Sequence, residues 1–325
     1  MSSEKYIQMD LFGENDRCIS KFIKSPLNYT GGKYKLLPQI YSKLPKDFNT
    51  FVDVFGGGFN VGANIDCSKV IYNDFNDKVC RIIKLLYSWK EPRLVSKIEE
   101  IIDIYSLSDT YHKGYAPYNV TGNLGLSRYN DKPYRKLRDE YNSLKENSEY
   151  KDLLLFILGI YGFNNNLRFN SKGENNVSVG KADFNENVRT NLKEFCETIQ
   201  NKKVDFYSLS FEDLPYETFD KPFFYCDPPY LITDVSYTKE DIWNDTMEHK
   251  LLNWLSMLND KGYKFALSNV LGHKGKSNDI LKEWISKNNF KVYDLEMSYK
   301  TCSYQGTNTN LPTREVLITN YTIDR

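Results

Sequence analysis

The residues best suited to chemistry form one tetrad, Asp227-Pro228-Pro229-Tyr230, which follows the apolar run at 223–226. Two consecutive prolines fix the backbone in an extended form and remove two amide donors. An acid before them and an aromatic ring after them make a site with hydrogen-bond acceptors and a stacking face. Such a site suits an amino group on a planar base. The alternative interpretation is a Pro-Pro turn that only ends a strand.

One amine of this kind is N6 of adenine, which is a poor nucleophile because its lone pair is delocalised into the ring. If the Asp227 carboxylate and the Pro228 carbonyl accept its two hydrogens, the nitrogen moves towards tetrahedral geometry and can attack a methyl group in line. Positioning and electrostatics carry such a reaction, so no metal or covalent intermediate is required. Inside a duplex the amine is inaccessible, so the base must flip out, with Tyr230 stacking on it.

A glycine-rich turn, Phe55-Gly56-Gly57-Gly58-Phe59-Asn60, lies far upstream of the tetrad. Glycines let the backbone approach a ligand closely, and the start of the next helix offers free N–H groups. The turn fails the dinucleotide pattern G-x-G-x-x-G because Val61 occupies its last position. A purely structural tight turn explains it equally well.

An acid, Asp74, ends the next apolar run about 20 positions after the glycines, the spacing typical of a carboxylate that accepts hydrogen bonds from ribose hydroxyls. Its other interpretation is a cap for the helix that begins near Asp77.

Strands and helices must alternate to bring these motifs together. The periodicity predicts strands at 51–55, 70–72, 222–226, 263–267, 291–296 and 316–321, and helices at 35–44, from 60, 77–89, 152–160, 246–258 and 280–286. This is a doubly wound α/β sheet interrupted by a block rich in Asn, Tyr and Gly. We therefore expect a flexible tail at 1–20, a catalytic and cofactor-binding α/β domain at 21–90 and 201–325, and an inserted domain at 91–200.

Composition limits the possible partners. The 43 basic and 43 acidic residues balance, which argues against a surface of uniformly positive potential but leaves room for a local basic cleft that holds phosphates. Six scattered cysteines and three dispersed histidines indicate neither a disulfide framework nor a metal site. With no apolar span and no secretory leader in the sequence, we expect a cytoplasmic protein.

The order of the motifs resembles the Dam-type (class alpha) DNA adenine-N6 methyltransferase family over most of residues 22–321. Asn28-Tyr29-Thr30-Gly31-Gly32-Lys33 resembles the N-terminal cofactor motif of that family, and 227–230 matches its catalytic motif in full. The glycine turn matches only in part, because Phe59 replaces the second glycine. The resemblance implies a Rossmann-like sheet, S-adenosyl-L-methionine as cofactor, and a mainly helical target-recognition domain with a β-hairpin. The implied cofactor contacts are Tyr29, Lys33 through the cofactor carboxylate, Phe55, Gly56, Gly58, Asp74, Ser210, Phe211 and Asp227.

The segment from Asn166 to Val177 resembles the DNA-reading hairpin of the same family. The resemblance implies that this hairpin binds double-stranded DNA. Arg168 and Lys172 would contact phosphates or guanine edges, and Asn170 and Asn176 would contact base edges. Phe169 would act as a wedge in the base stack. Asn175 stands where the family often has Phe, and Ser178 where it often has Pro. The sequence preference of relatives therefore does not transfer.

The resemblance implies a site-specific enzyme that methylates N6 of a flipped-out adenine in duplex DNA, in restriction-modification or genome methylation near the nucleoid. One alternative is a methyltransferase acting on RNA or on a protein glutamine, although those enzymes usually carry Asn before Pro-Pro-Tyr. The other is a non-catalytic DNA-binding relative, against which the intact tetrad and Lys33 argue.

The N-terminal tail contains Gln8-Met9-Asp10-Leu11-Phe12, which resembles the peptide by which bacterial replication and repair proteins dock on the sliding clamp. Gln8 would be the anchor, and Leu11 and Phe12 would enter a hydrophobic pocket. The alternative is that Leu11 and Phe12 pack on the core of the enzyme itself.

Overall fold

The predicted alternation of strands and helices builds one central sheet. A computed structural model describes residues 22–29, 31–120, 122–233, 243–296 and 313–323. In these ranges the sheet consists of β1 Thr50–Asp53, β2 Lys69–Asn73, β3 Lys203–Tyr207, β4 Pro222–Cys226, β5 Lys264–His273, β6 Lys276–Ser277, β7 Lys291–Leu295 and β8 Arg314–Thr319.

The strand order is β3-β2-β1-β4-β5-β8-β7, with the short β6 paired to β5. Pairs β3-β2, β2-β1, β1-β4 and β4-β5 are parallel, and β8 is antiparallel to both of its neighbours. Every residue of β1 and of β4 is buried, as expected for central parallel strands that are covered on both faces. The order reverses between β1 and β4, which creates a crevice at the carboxyl ends of these strands. The sheet confirms the α/β fold class.

Helices cover the sheet and extend from it. They are α1 Leu37–Tyr41, α2 Asn60–Asn64, α3 Asp77–Ser88, α4 Glu91–Tyr105, α5 Thr110–Lys113, α6 Ser127–Ser143, α7 Glu149–Tyr161, α8 Glu186–Gln200, α9 Asp245–Asp260 and α10 Asp279–Asn288. Between β2 and β3 the chain forms helices α3 to α8, and the buried faces of α3, α4, α6, α7 and α8 share one hydrophobic core with the sheet. None of the helices in the described ranges combines the length and the apolar character that a membrane span requires.

Most predicted elements are present, with shifted ends. β4 has the predicted bounds, whereas β5 continues to His273, past the predicted end. The helix predicted at 35–44 is a 3-10 turn followed by α1, because Pro38 lies in the first turn of a new helix. β3 was missed because it lies at the edge of the sheet, where only Val204 of its residues is fully buried and an apolar run is not needed.

Candidate active site

The crevice beside the switch between β1 and β4 holds a cavity of about 560 Å³. It collects side chains that lie far apart in the sequence. The predicted site residues that line it are Tyr29, Lys33, Phe55, Gly56, Gly58, Asp74, Phe169, Asn170, Ser210, Phe211, Asp227, Pro228, Pro229 and Tyr230.

The glycine turn forms one wall, and two of its glycines are required by close contacts. A Cβ on Gly56 would lie 2.4 Å from the Tyr72 ring, whose hydroxyl donates to the Gly57 carbonyl at 2.8 Å. Gly57 has a positive φ of 46° and would place a Cβ 2.9 Å from the Tyr29 ring. Phe59, which follows the three glycines, also adopts a left-handed conformation with φ 61°. It is fully buried edge-on against Tyr72, and this burial offsets the backbone strain.

Asp74 supports this turn from the end of β2. Its carboxylate accepts hydrogen bonds from the Gly57 and Asn76 amides, both at 2.8 Å. The interpretation of Asp74 as a helix cap is wrong, because Asn76 caps α3 by accepting from the Lys78 amide at 3.2 Å.

Asn73 ties the ends of three chain segments together beside Asp74. Its amide nitrogen donates to the carbonyls of Val54 and Leu209, and its oxygen accepts from the Leu209 amide. This bonding brings Ser210 and Phe211 to the same end of the sheet as the glycine turn. The Phe211 ring lies 5.9 Å from that of Phe55, so an aromatic wall faces the cavity.

The tetrad forms the opposite side of the cavity, and Lys33 holds it. The Lys33 ammonium lies 2.8 Å from Asp227 Oδ2, donates to the Gly31 carbonyl at 2.6 Å, and lies 5.0 Å from the centroid of the Tyr230 ring. The Tyr230 hydroxyl lies 3.0 Å from Asp227 Oδ1. Both oxygens of Asp227 therefore have a defined partner.

Burial changes the acidity of the carboxyl groups around the cavity. It raises the pKa of Asp227, although the Lys33 ammonium opposes this. It raises the pKa of Asp53 to about 7, against a hydrogen bond from the Gly62 amide, and that of Asp74 to about 6. Ionised carboxylates at these positions are poorly solvated, so each is strongly attracted to a cation or hydrogen-bond donor that enters the cavity.

The predicted DNA hairpin lies at the rim of the cavity. A bridge between Phe169 and Asn175 and a hydrogen bond from the Asn170 amide to the Glu174 carbonyl close it. Two side chains of α6 hold it: Asn142 bonds the Asn175 backbone in both directions, and Arg138 donates to the Val177 carbonyl.

The five predicted DNA contacts divide into two groups. Phe169 and Asn170 line the cavity, whereas Arg168, Lys172 and Asn176 are exposed on the hairpin. The Asn170 oxygen already accepts from the Lys172 and Glu174 amides, and Arg168 donates to the Asn176 side chain at 2.9 Å.

Two acids of the site were missed by sequence reasoning. Asp53 ends β1 and is buried against the Gly62 amide at 3.0 Å, and Glu315 on β8 contacts Tyr230. An acid after the apolar pair Phe51-Val52 was a usable signal for Asp53. No sequence pattern pointed to Glu315, because it is distant in sequence from every other site residue.

Comparisons with known proteins agree with this geometry. The model of the D12 class N6 adenine-specific DNA methyltransferase family matches residues 29–301. The chain is 38% identical over 308 residues to modification methylase StsI of Streptococcus sanguinis, covering 93% of this chain and 43% of the relative. It is 38% identical over 310 residues to the type II methyltransferase M.FokI of Planomicrobium okeanokoites, covering 93% of this chain and 44% of that protein. A DNA adenine methylase of Escherichia coli (strain K12) is 27% identical over 205 residues, 63% of this chain and 64% of its own length. The chain thus spans less than half the length of the first two relatives. The family match confirms the resemblance that the motifs indicated.

Asp53 should make folding less favourable as the pH rises. Its pKa is about 7 in the folded protein against the ordinary value of 3.8, so between these values the folded state binds more protons and the free energy of unfolding falls with rising pH. Asp53→Asn removes this dependence. We therefore expect the variant to gain stability relative to wild type as the pH rises. Between about pH 5 and about pH 8 this gain in the free energy of unfolding should be about 2–3 kcal/mol, measured by urea denaturation. The control is Asp139→Asn on the exposed face of α6, and a difference for Asp53→Asn that does not vary with pH contradicts the assignment.

Proposed function

The chain belongs to the D12 class N6 adenine-specific DNA methyltransferase family, and on this premise we propose that it transfers a methyl group from S-adenosyl-L-methionine to N6 of a flipped-out adenine in duplex DNA. The observation that carries the proposal is the meeting of the tetrad with the glycine turn and Asp74 in one cavity. The acceptors that would hold the amine and the turn that would hold the cofactor thus face the same space.

The residues of the cavity fit this cofactor. The glycine turn presents its backbone to the cavity, and the buried Asp74 carboxylate offers acceptors for ribose hydroxyls. Phe55 and Phe211 offer aromatic faces for an adenine ring. The ionisable Asp53 suits the amino group of the methionine part. When bound, the cofactor supplies a methyl group on a positively charged sulfur.

We propose that the Asp227 carboxylate and the Pro228 carbonyl each accept a hydrogen bond from the N6 amino group of the target base, while Pro229 keeps this backbone rigid. Lys33 helps to keep the buried Asp227 ionised, and the ionised carboxylate is the stronger acceptor. The Tyr230 ring offers a stacking surface, and its hydroxyl bond to Asp227 limits its rotation. Lys33 is therefore assigned to Asp227 as well as to the cofactor carboxylate.

We propose that residues 91–200 form the target-recognition domain and that residues 21–90 and 201–325 form the catalytic one. The support is that the hairpin projects from helices α6 and α7, while Phe169 at its base lines the cavity. Arg168, Lys172 and Asn176 are the exposed groups available to DNA, with Phe169 and Asn170 beside the flipped base.

A role in restriction-modification is proposed because StsI and LlaI, two of the relatives, are named modification methylases. Duplex DNA as substrate places the enzyme in the cytoplasm with the nucleoid. The family match favours DNA over RNA or a protein glutamine, and the tetrad bonded to Lys33 favours an enzyme over a non-catalytic relative.

Asp227→Asn should lower the rate of methyl transfer to duplex DNA by at least roughly 100-fold, because the Asn amide oxygen is a weaker acceptor and carries no negative charge to stabilise the positive charge that develops on N6. The side-chain volume is kept. The measurement is single-turnover transfer of labelled methyl groups, with circular dichroism to check the fold. Asp260→Asn, on an exposed acid at the end of α9, is the control and should keep the wild-type rate. Near-normal transfer by Asp227→Asn contradicts the assigned role, and transfer to RNA but not to DNA contradicts the substrate.

Arg168→Ala should weaken DNA binding by roughly 5- to 100-fold, the range for loss of one specific base or phosphate contact, and leave cofactor affinity unchanged. Fluorescence anisotropy with labelled DNA at several salt concentrations distinguishes a phosphate contact from a base contact. A phosphate contact lowers the salt slope by about one, and a base contact relaxes the sequence preference. Lys287→Ala in the last turn of α10 is the control. Loss of cofactor affinity in Arg168→Ala shows that the hairpin is misassigned.

We also propose that the tail docks on a bacterial sliding clamp through Gln8, Leu11 and Phe12, which lie outside the described residues. The support is the sequence of 8–12 alone. Removal of residues 1–13 should abolish binding to the clamp in calorimetry and leave methyl transfer to short duplexes unchanged. Equal clamp binding with and without the tail rejects the proposal.

A further inference from the structure

Glu315 is a buried acid that the proposed mechanism does not use. It lies near the start of β8, which is antiparallel to β5 and β7, and is 8% exposed next to the fully buried Val316, Leu317 and Ile318. A carboxylate in such a strand destabilises the fold unless it has partners.

The partners of Glu315 are the two groups that hold Asp227. Its Oε1 atom lies 2.9 Å from the Tyr230 hydroxyl and 3.6 Å from the Lys33 ammonium. The same hydroxyl lies 3.0 Å from Asp227 Oδ1, and the same ammonium 2.8 Å from Asp227 Oδ2. Four groups from three parts of the chain, Lys33, the tetrad and β8, thus form one closed network.

We propose that Glu315 is a positioning residue for methyl transfer, which acts on Asp227 through Tyr230 and Lys33. This inference rests on the proposed function. Tyr230 has one hydroxyl proton for two carboxylates, and Lys33 has one positive charge for the same two. Glu315 therefore competes for both groups that would otherwise stabilise Asp227.

The competition has a chemical consequence. With Lys33 alone, the Asp227 pair would be neutral, whereas the network with Glu315 retains one surplus negative charge when both carboxylates are ionised. Methyl transfer moves positive charge onto N6 beside Asp227, and a fixed negative charge at that place stabilises the transition state. Glu315 also anchors the far end of the Tyr230 ring, so the stacking face is held in place before the base arrives.

The pH dependence of transfer provides a specific signature. The charged and titratable groups facing Asp227 are Lys33, Asp53, Tyr225, Cys226, Tyr230 and Glu315. Burial raises the pKa of Asp227 most, and the negative charge of Glu315 raises it further. Removing that charge lowers the pKa of Asp227, so the fall in rate on acidification should move to lower pH. A purely structural role for Glu315 does not predict this direction.

The test compares Glu315→Gln, Tyr230→Phe and the double variant in the full-length chain. We expect Glu315→Gln to lower kcat by roughly 10- to 100-fold with unchanged affinity for S-adenosylmethionine, measured by calorimetry. In the Tyr230→Phe background the same substitution should lose the part of its effect that passes through the shared hydroxyl, so the double variant should lose less than the product of the two single losses. Asp294→Asn, a surface acid on the adjacent strand β7, is the control and should behave as wild type.

Three outcomes overturn the proposal: a wild-type rate in folded Glu315→Gln, an equal loss in the Tyr230→Phe background, or an acidic limb that does not move to lower pH. If Glu315→Gln does not fold, Glu315→Asp keeps the charge but withdraws the carboxylate from Tyr230. A wild-type kcat in that variant also overturns the proposal. If the wild type itself fails to methylate duplex DNA in the same assay, the proposed function fails together with the inference, whereas an active wild type with an unaffected variant removes the inference alone.

Discussion

A buried ammonium beside buried carboxylates is the interaction on which the cavity at the carboxyl edge of the sheet depends. Among the described residues, Lys33 is the one lysine in the buried class, and it lies against Asp227 and close to Glu315. Removing a lysine charge from water is costly unless it is paired and hydrogen-bonded. The Gly31 carbonyl and Asp227 supply those partners, so the N-terminal motif and the tetrad are fixed relative to each other by electrostatics. The motif proposed to bind the cofactor and the tetrad proposed to bind the target base therefore meet at this ion pair.

The topology of the sheet makes that contact possible. β1 pairs with β2 on one side and with β4 on the other, so Asp53, Asp74 and Asp227 all follow neighbouring strands at the same edge. Three carboxyl groups close together in a poorly solvated place are unfavourable without cations or donors. Burial raises the pKa of both Asp53 and Asp74, and the negative charges of Asp227 and Asp74 raise that of Asp53 further. A ligand with a positive charge and hydroxyl groups, such as the cofactor proposed for this cavity, would supply a cation and hydrogen-bond donors to these carboxyl groups.

The hairpin obeys a different constraint. Its backbone is held rigidly by Asn142 and Arg138 of α6, whereas Arg168, Lys172 and Asn176 are exposed at its surface. A rigid support with exposed polar ends suits the reading of a second molecule, because little ordering is required on contact. Asn175 is buried where the hairpin meets α6, and Asn142 of that helix holds its backbone, so this residue belongs to the support and not to the exposed face.

Local chemistry determined much of the outcome at the level of the sequence. The apolar run before Pro228-Pro229 predicted the bounds of β4. The tetrad, the glycines and Asp74, which local patterns singled out, line one cavity. Three features required the tertiary structure. Asn76 and not Asp74 caps α3, because the Asp74 carboxylate turns back to the glycine turn. Phe59 is held in a left-handed conformation, which normally favours glycine, because its ring is buried against Tyr72. Glu315 joins the site because β8 inserts antiparallel between β5 and β7, a pairing between distant segments that no local pattern encodes.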